Sequence, residues 1–352
     1  MNDPAARTVV VHITESLGGG TASAISDYVD ATPEVEHHLV AASREGVTDE
    51  YRTRFHSTID VDRSVTGVRT ARAYVRTLGP DFVHLHSSWA ALGYRLLPRV
   101  AGPAVLYTPH CFAFERRDVN GPVRLSFFLV ERLLRRRTDS LVACAPREQR
   151  LARKLGYRSV HYVPNRAGFS AGEVRGAPSD RSIRIVGAGR LSAQKDPRLF
   201  AQVARKVAAR VGSAGEVTVR WIGDGSPELR AELESAGVEV TGWLPRSEVV
   251  RELKEATVLL HTASWEGFPV LLIEAHELGL PIVVRRIPAF EGLPDDVVGS
   301  DADELADVLQ AVLADGDCRT DNQRAWRHVL ADNNRRTQST RLRTVYGVAG
   351  PC

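Results

Sequence analysis

At 352 residues the chain has the length of two domains, each able to bury its own core. Hydrophobic residues make up 43% and charged residues 25%, a globular balance that excludes a disordered or fibrous chain. No window approaches the roughly eighteen consecutive apolar residues of a membrane-spanning helix, so none is expected. The N-terminus, MNDPAARTVVVHITES, has no basic segment leading into an apolar core; no signal peptide is expected, and the location read from it is cytoplasmic. Cys111, Cys144, Cys318 and Cys352 are scattered, with no C-x-x-C pair, which argues against structural zinc and against a disulfide framework.

The net charge of +3 hides an asymmetry. Residues 1–170 carry 23 Lys and Arg against 17 Asp and Glu, whereas the remainder carries 23 against 26. A basic first half points to an anionic partner there, a lipid surface or a phosphorylated acceptor.

Thr8–Ile13 (TVVVHI) is short, β-branched and apolar, the pattern of a buried parallel strand. Gly18–Gly20 follow, then a helical pattern over Thr21–Tyr28. A glycine-rich turn between strand and helix lets backbone N–H groups approach a ligand, although this one is not G-x-G-x-x-G, and a plain tight turn explains it equally well. Strands are predicted at Glu36–Ala42, Phe82–His86, Val105–Thr108 and Ser140–Ala143. Helices are predicted at Val68–Leu78, Trp89–Ala101, Val123–Arg136 and Arg147–Leu155. Such alternation predicts a doubly wound parallel sheet with ligands at the carboxyl ends of its strands. His84 and His86 share one side of a strand and read as hydrogen-bonded structural residues. His110 follows Pro109 in a loop at the ligand edge, beside Phe112 and Phe114, and is the stronger functional candidate. The stretch 121–137 is the most basic. It mixes Phe127, Phe128, Leu129, Val130, Leu133 and Leu134 with five arginines, and reads either as a core helix with a solvated basic end or as a helix lying on an anionic membrane.

Asn165–Ser182 is rich in small and polar residues and reads as a domain boundary. The expected domains are 1–168 and 183–330, with a linker over 169–182 and a closing segment 331–352. Strands restart at Ile183–Gly187, Val217–Gly223, Val238–Thr241, Thr257–His261 and Pro281–Val284. Helices are predicted after Pro197 through Val211 and over Pro227–Ala236, and the tail from about Asp303 reads as helical to near Val348.

Two stretches carry the chemistry. Gly187-Ala188-Gly189-Arg190 is followed by Lys195, which sets two cations where a strand meets a helix. Arg grips a phosphate through two N–H groups and Lys adds a point charge, so the pair suits a diphosphate, above all one leaving with growing negative charge. A nicotinamide loop is the competing reading, but its third glycine is replaced by Ser192. The second stretch, Ser264–Pro281 (SWEGFPVLLIEAHELGLP), places Glu266 in a turn and Glu274 about one turn into a helix. The helix start offers free N–H groups, and two carboxylates beside it accept hydrogen bonds from hydroxyls; the plain alternative is an amphipathic helix with its acids in water.

GGG at 18–20, TPHCFAF at 108–114, VPN at 163–165, GAGRLSAQKDP at 187–197, WIGDGSPEL at 221–229, TGWLP at 241–245 and SWEGFPVLLIEAHELGLPIV at 264–283 run in the order found in the retaining glycosyltransferases of family 4, which this chain resembles. It is also similar to bacterial exopolysaccharide and capsule transferases. The resemblance implies the GT-B fold: two facing Rossmann-like domains, an interdomain cleft and a C-terminal helix crossing back onto the first domain. It implies transfer of a sugar from a UDP- or GDP-linked donor to a glycan, polyprenyl-linked or small-molecule acceptor, with retention of configuration and no metal or other cofactor. Arg190 and Lys195 would bind the diphosphate, with backbone at Gly189. Glu274 would take the ribose. Glu266, with Gly267, Phe268, Pro269 and Val270, would hold sugar hydroxyls and the distal phosphate. Backbone near Leu244 would receive the base, His110 would reach the donor sugar, and Gly19 and Gly20 would line the phosphate or acceptor side. Nucleic acid is not an expected partner. A 2-epimerase-like or phosphorylase-like enzyme of the same fold is the alternative. After VPN the usual run of Gly, a small residue and Asp is replaced by Arg166-Ala167-Gly168.

Overall fold

The computed structural model describes residues 7–15, 17–42, 49–169, 182–211 and 216–349. The chain divides into two compact units: residues 1–166 with 332–352, and residues 167–331. The expected linker lies outside the described residues except at its two ends.

The first unit alternates strand and helix: β1 (Val9–Thr14), α1 (Gly19–Ala31), β2 (Glu36–Ala42), β3 (Ser57–Val61), α2 (Val65–Leu78), β4 (Phe82–His86), α3 (Ser88–Leu96), β5 (Ala104–Thr108), α4 (Gly121–Leu134), β6 (Ser140–Ala143), α5 (Pro146–Leu155) and β7 (Val160–Tyr162). The seven strands pair in the order β3-β2-β1-β4-β5-β6-β7, all parallel. Alternate side chains sort to opposite faces, as the pleat requires. Val11, Ile13, Val83, Leu85, Val105 and Tyr107 pack with Val75, Tyr94 and Ala152. Val10, Leu106 and Val142 face the other way, toward Tyr28. That second face also buries His12, His84 and His86, each fully enclosed.

The second unit repeats the plan: β8 (Ile183–Ala188), α6 (Pro197–Val211), β9 (Val217–Ile222), α7 (Pro227–Ser235), β10 (Glu239–Val240), α8 (Arg246–Glu255), β11 (Val258–His261), α9 (Val270–Glu277), β12 (Ile282–Arg285), β13 (Val298–Gly299), α10 (Ala302–Ala314) and α11 (Gly316–Val329). Its parallel sheet has the order β10-β9-β8-β11-β12-β13. Val186, Leu259, Ile282 and Val284 pack on Leu272 and Ile273 of α9 and on Trp326 of α11. Ile185, Val258, Leu260 and Val283 pack on Phe200, Val203 and Val207 of α6 and on Leu305 and Leu309 of α10.

The helical tail consists of three helices. Asp315 caps α11 directly after α10, and a second break at residues 330–334 precedes α12 (Arg335–Tyr346), capped by Asn334. Helix α12 belongs to the first unit, where Leu342, Val345 and Tyr346 join Val10 and Tyr28. Arg166, at the departure from the family run, is buried. It donates to Gln338 of α12 (3.0 Å) and pairs with Asp27 of α1 (3.2 Å), tying the two helices together. Helix α3 stops at Leu96 rather than Ala101, ahead of Pro98 and Gly102, residues that helices tolerate poorly.

Helix α4 departs most from a core-packing reading. Glu131 and Leu134 are its buried residues, while Leu125, Leu129 and Leu133 point outward, Leu133 at 72% exposure. Their spacing of four residues makes a single outward stripe. Arg132 and Arg136 are exposed beside it. Among the described residues no helix is long and apolar enough to cross a membrane.

Candidate functional site

In the second unit the strand order reverses between β8 and β11. Such a switch point opens a crevice at the carboxyl ends of the strands, because the loops there diverge to opposite faces. The loops leaving β8 and β11 are those that carry Arg190–Lys195 and Ser264–Glu266.

Backbone geometry fixes the first loop. Gly189 has φ +133 and Gly223 φ +130, a region that L side chains avoid. A Cβ on Gly223 would lie 2.4 Å from the Gly189 carbonyl, and one on Gly189 would lie 2.8 Å from Lys195 Cε. The glycines therefore let two loops cross and let the lysine stem fold over the backbone. Trp221 Nε1 donates to the Gly189 carbonyl (2.9 Å). The loop is laced to its neighbour: the Ser264 amide donates to the Gln194 carbonyl (2.8 Å), Gln194 Nε2 to the Trp265 carbonyl (3.1 Å), and Thr262 Oγ1 to the carbonyls of Lys195 (2.9 Å) and Asp196 (3.1 Å). Arg285, at the end of β12, bridges Asp196 (2.7 Å) and Ser264 Oγ (2.8 Å).

This lacing brings Lys195 Nζ onto Glu266, in a close ion pair. His261 Nε2 lies 3.6 Å from the same carboxylate oxygen. Burial alone would raise the Glu266 carboxyl, but the Lys195 charge and hydrogen bond, with the nearby His261 ring, outweigh it and hold it at about 2. Glu266 is thus ionised at any physiological pH. Arg190 is exposed, with no ion pair among the described residues. Gly267, Phe268 and Pro269 lead into α9, which begins at Val270 without a side-chain cap and whose Leu272 amide donates to the Pro269 carbonyl (3.2 Å).

Glu274 does not face water. It sits within α9 at 1% exposure, and both its oxygens meet the Arg246 guanidinium, one of them at 2.7 Å. Arg246 opens α8 directly after Leu244 and Pro245. The plain amphipathic reading of the two acids therefore fails, since both are enclosed and both are paired with cations. Arg246 and His261 escaped the sequence reading. TGWLP ends one residue before Arg246, and His261 closes a strand on the ligand edge, so position was the available signal for each.

In the first unit, Gly18 caps α1, Gly19 has φ +54, and Gly19 and Gly20 are exposed with open space around them. His110 (φ +55) and Cys111 (φ +113) occupy consecutive left-handed conformations, which cost non-glycine residues energy and persist only where surroundings hold them. The clamp is the Glu148 carboxylate, which accepts the Cys111 amide (2.9 Å) and the Cys144 amide (2.8 Å). Burial pushes that carboxyl up to about 7 against the pull of those two amides. His110 Nε2 lies 3.1 Å from His86 Nδ1, and burial of the His110 ring lowers its pKa to about 4. His84 bonds Tyr346 (3.0 Å) and Thr108 (2.8 Å), and His86 is equally enclosed, in keeping with structural histidines.

The chain matches two family descriptions: glycosyl transferase 4-like domain over residues 7–166, and glycosyl transferases group 1 over residues 182–315. It is 24% identical over 330 residues to an uncharacterized 41.2 kDa protein in the cps region of Klebsiella pneumoniae, covering 86% of this chain and 89% of that one. It is 28% identical over 230 residues to the UDP-Gal:alpha-D-GlcNAc-diphosphoundecaprenol alpha-1,3-galactosyltransferase of Escherichia coli, covering 59% of this chain and 58% of the relative. Alr3699/HepE of Anabaena, solved in complex with UDP-glucose, superposes with a TM-score of 0.76 at 14% identity, over 97% of this chain and 100% of that one. With one family description matched in each unit, two Rossmann-like parallel sheets and a full-length GT-B neighbour, the chain belongs to the glycosyltransferases of GT-B fold and is a transferase enzyme.

Proposed function

We propose that the protein moves a sugar from a UDP- or GDP-linked donor onto a polyprenyl-linked or other glycan acceptor, with retention of anomeric configuration and without a divalent metal. The observation that carries this reading is the loop pair at the second unit's switch point, where Lys195 meets Glu266 and the lysine's own loop carries the exposed Arg190. Arg190 and Lys195 neutralise the diphosphate. The bond between the anomeric carbon and the phosphate oxygen breaks, a new bond forms from the acceptor oxygen on the same face, and the departing phosphate takes the acceptor proton. Cations placed where that charge grows lower the barrier, and they perform the task a metal would otherwise perform. Glu266, held ionised, accepts hydrogen bonds from sugar hydroxyls beside the backbone of Gly267–Val270. Glu274 takes ribose hydroxyls and is oriented for them by Arg246. Backbone at Leu244 receives the base, and Gly19 and Gly20 line the phosphate or acceptor side of the first unit.

A lipid-linked acceptor accords with helix α4. Its outward Leu125, Leu129 and Leu133, flanked by Arg132 and Arg136, suit insertion at the surface of an anionic membrane from the cytoplasmic side. The Escherichia coli relative, by its name, acts on a diphosphoundecaprenol-linked sugar, which supports the same acceptor class here.

The test is a panel of UDP-, GDP- and TDP-sugars with a polyprenyl-diphosphate-linked acceptor, in chelator, read by mass spectrometry and by the anomeric coupling constant of the product. Turnover with an unchanged anomer in chelator supports the proposal. An inverted product, or activity that needs added metal, overturns the corresponding part. Donor isomerisation or phosphorolysis without acceptor would instead favour the epimerase-like or phosphorylase-like alternative.

A further inference from the structure

Four imidazoles run in one line across the first unit's sheet. His37 on β2, His12 on β1 and His86 on β4 lead to His110, just past the end of β5, and these strands are neighbours in the sheet. His37 Nδ1 meets His12 Nε2 at 2.9 Å, His12 Nδ1 meets His86 Nε2 at 2.9 Å, and His86 Nδ1 meets His110 Nε2 at 3.1 Å. Every link uses the δ nitrogen of one ring and the ε nitrogen of the next.

The far end gives the line a direction. His37 Nε2 faces the Thr32 carbonyl (3.3 Å) and Thr32 Oγ1 (3.0 Å). Thr32 Oγ1 donates its own proton to the Tyr28 carbonyl (2.8 Å). Both groups before His37 therefore accept, and His37 Nε2 must carry hydrogen. His37 Nδ1 is then a lone pair and accepts from His12 Nε2–H. The same logic passes to His86 Nε2–H and to His110 Nε2–H, since burial keeps the rings neutral and a neutral imidazole carries one N–H. His110 is left with Nδ1 as a lone pair, which makes no hydrogen bond among the described residues. The line ends on a backbone carbonyl, which takes no proton, so it orients and does not conduct.

We propose that His37, His12 and His86 are positioning residues that form a one-way imidazole chain, fixing His110 as its Nε2–H tautomer and presenting His110 Nδ1 as the acceptor for a ligand hydroxyl. The left-handed backbone at His110 and Cys111, clamped by Glu148, fixes where the ring sits, and the imidazole chain fixes which nitrogen is bare. Nitrogens of His12, His84 and His86 also lie within 4.8 Å of one another, but the 2.9 Å contact between His12 and His86 is a hydrogen bond that uses the lone pair a metal would need. A ligand hydroxyl at His110 rests on the glycosyltransferase reading; the tautomer does not.

The experiment is 15N-detected histidine spectroscopy on the full chain at pH 7.5, with His37→Phe and His37→Gln beside the wild type. The proposal expects His37, His12, His86 and His110 all as Nε2–H in the wild type. Loss of the terminal acceptor in His37→Phe should give His110 mixed tautomers and lower kcat about tenfold, the scale of one hydrogen bond, with the donor KM nearly unchanged. His37→Gln, whose side-chain oxygen can accept from His12, should restore both. An Nδ1–H tautomer at any of the four rings, stoichiometric zinc on His12 and His86 in the purified protein, or a folded His37→Phe protein with unchanged His110 tautomer and kcat would overturn it. If no donor is turned over at all, the functional reading fails, while the tautomer spectra still decide the chain.

Discussion

The two sheets are built alike and carry their polar groups in opposite ways. In the second unit the strand-end loops hold full charges: Lys195 against Glu266, Arg246 against Glu274, Arg285 against Asp196, and Arg190 exposed. In the first unit the sheet holds neutral imidazoles in its interior, every one of them hydrogen-bonded. A charged pair suits a ligand that is itself an ion, because its cation is shared with the incoming anion at little extra cost in desolvation. A neutral imidazole suits a hydroxyl, which gains from a well-aimed lone pair and nothing from charge. On the proposed function, one architecture would serve a diphosphate in one unit and a hydroxyl in the other.

The largest effect should come from removing a cation. Lys195→Ala should cut kcat/KM about 100- to 1,000-fold, as expected for one group stabilising a leaving anion, and Arg190→Ala should act in the same direction. Steady-state kinetics with the preferred donor checks this; a loss under threefold would mean that the second unit's charges hold only its own fold. Next is Glu274→Gln, which keeps the shape but removes the charge facing Arg246. It should raise the donor KM roughly tenfold with a smaller change in kcat, since ribose binding is felt equally in ground and transition states. A fall in kcat at constant KM would contradict that role.

Acid separates the two regions again. His37 and His110 are held near 4 in the folded protein, against about 6.5 when unfolded. Between those values the unfolded chain binds more protons, so stability is full above about 6.5 and falls as pH drops toward 4. Glu266, at about 2, contributes stability above about 4.5 and loses it only as pH falls from there toward 2. Urea unfolding between pH 4.5 and 7.5 should therefore report the histidines and not Glu266, with Glu148 as a partial offset, since its carboxyl, raised to about 7, binds a proton in the folded chain first and adds stability toward the acid end. A flat profile there would contradict the neutral interior of the first unit. The smallest effect is on helix α4: Leu129→Asp should weaken sedimentation with anionic liposomes about threefold, because one leucine inserts partially, and leave turnover of a water-soluble acceptor unchanged. Equal binding of wild type and variant would remove the membrane from the account.

The second unit's site was readable in the chain because its parts are local. Arg190 and Lys195 share one loop, Glu266 and Glu274 share one turn and helix, and glycines mark the crossing. What escaped was set by pairing across the sheet. His12, His37 and His86 lie 25 and 74 residues apart along the two links they share, and only the register of β2, β1 and β4 brings them into line. Each sits in an apolar strand, so a buried imidazole needing a partner was the signal available. Helix α4 stayed open between two readings for a related reason. Composition shows apolar content, but which face meets a neighbour is settled by packing, and Leu125, Leu129 and Leu133 are left exposed. The tail reads as helical from its composition, and the breaks within it fall where Asp315 and Asn334 offer caps.

The central claim is that Arg190 and Lys195 hold a nucleoside diphosphate. Titration calorimetry of UDP and uridine into the wild type and into Lys195→Ala tests it directly. The wild type should bind UDP far more tightly than uridine, and Lys195→Ala should lose about 10- to 100-fold in UDP affinity while its uridine affinity is unchanged. Equal affinity of the two proteins for UDP would contradict it.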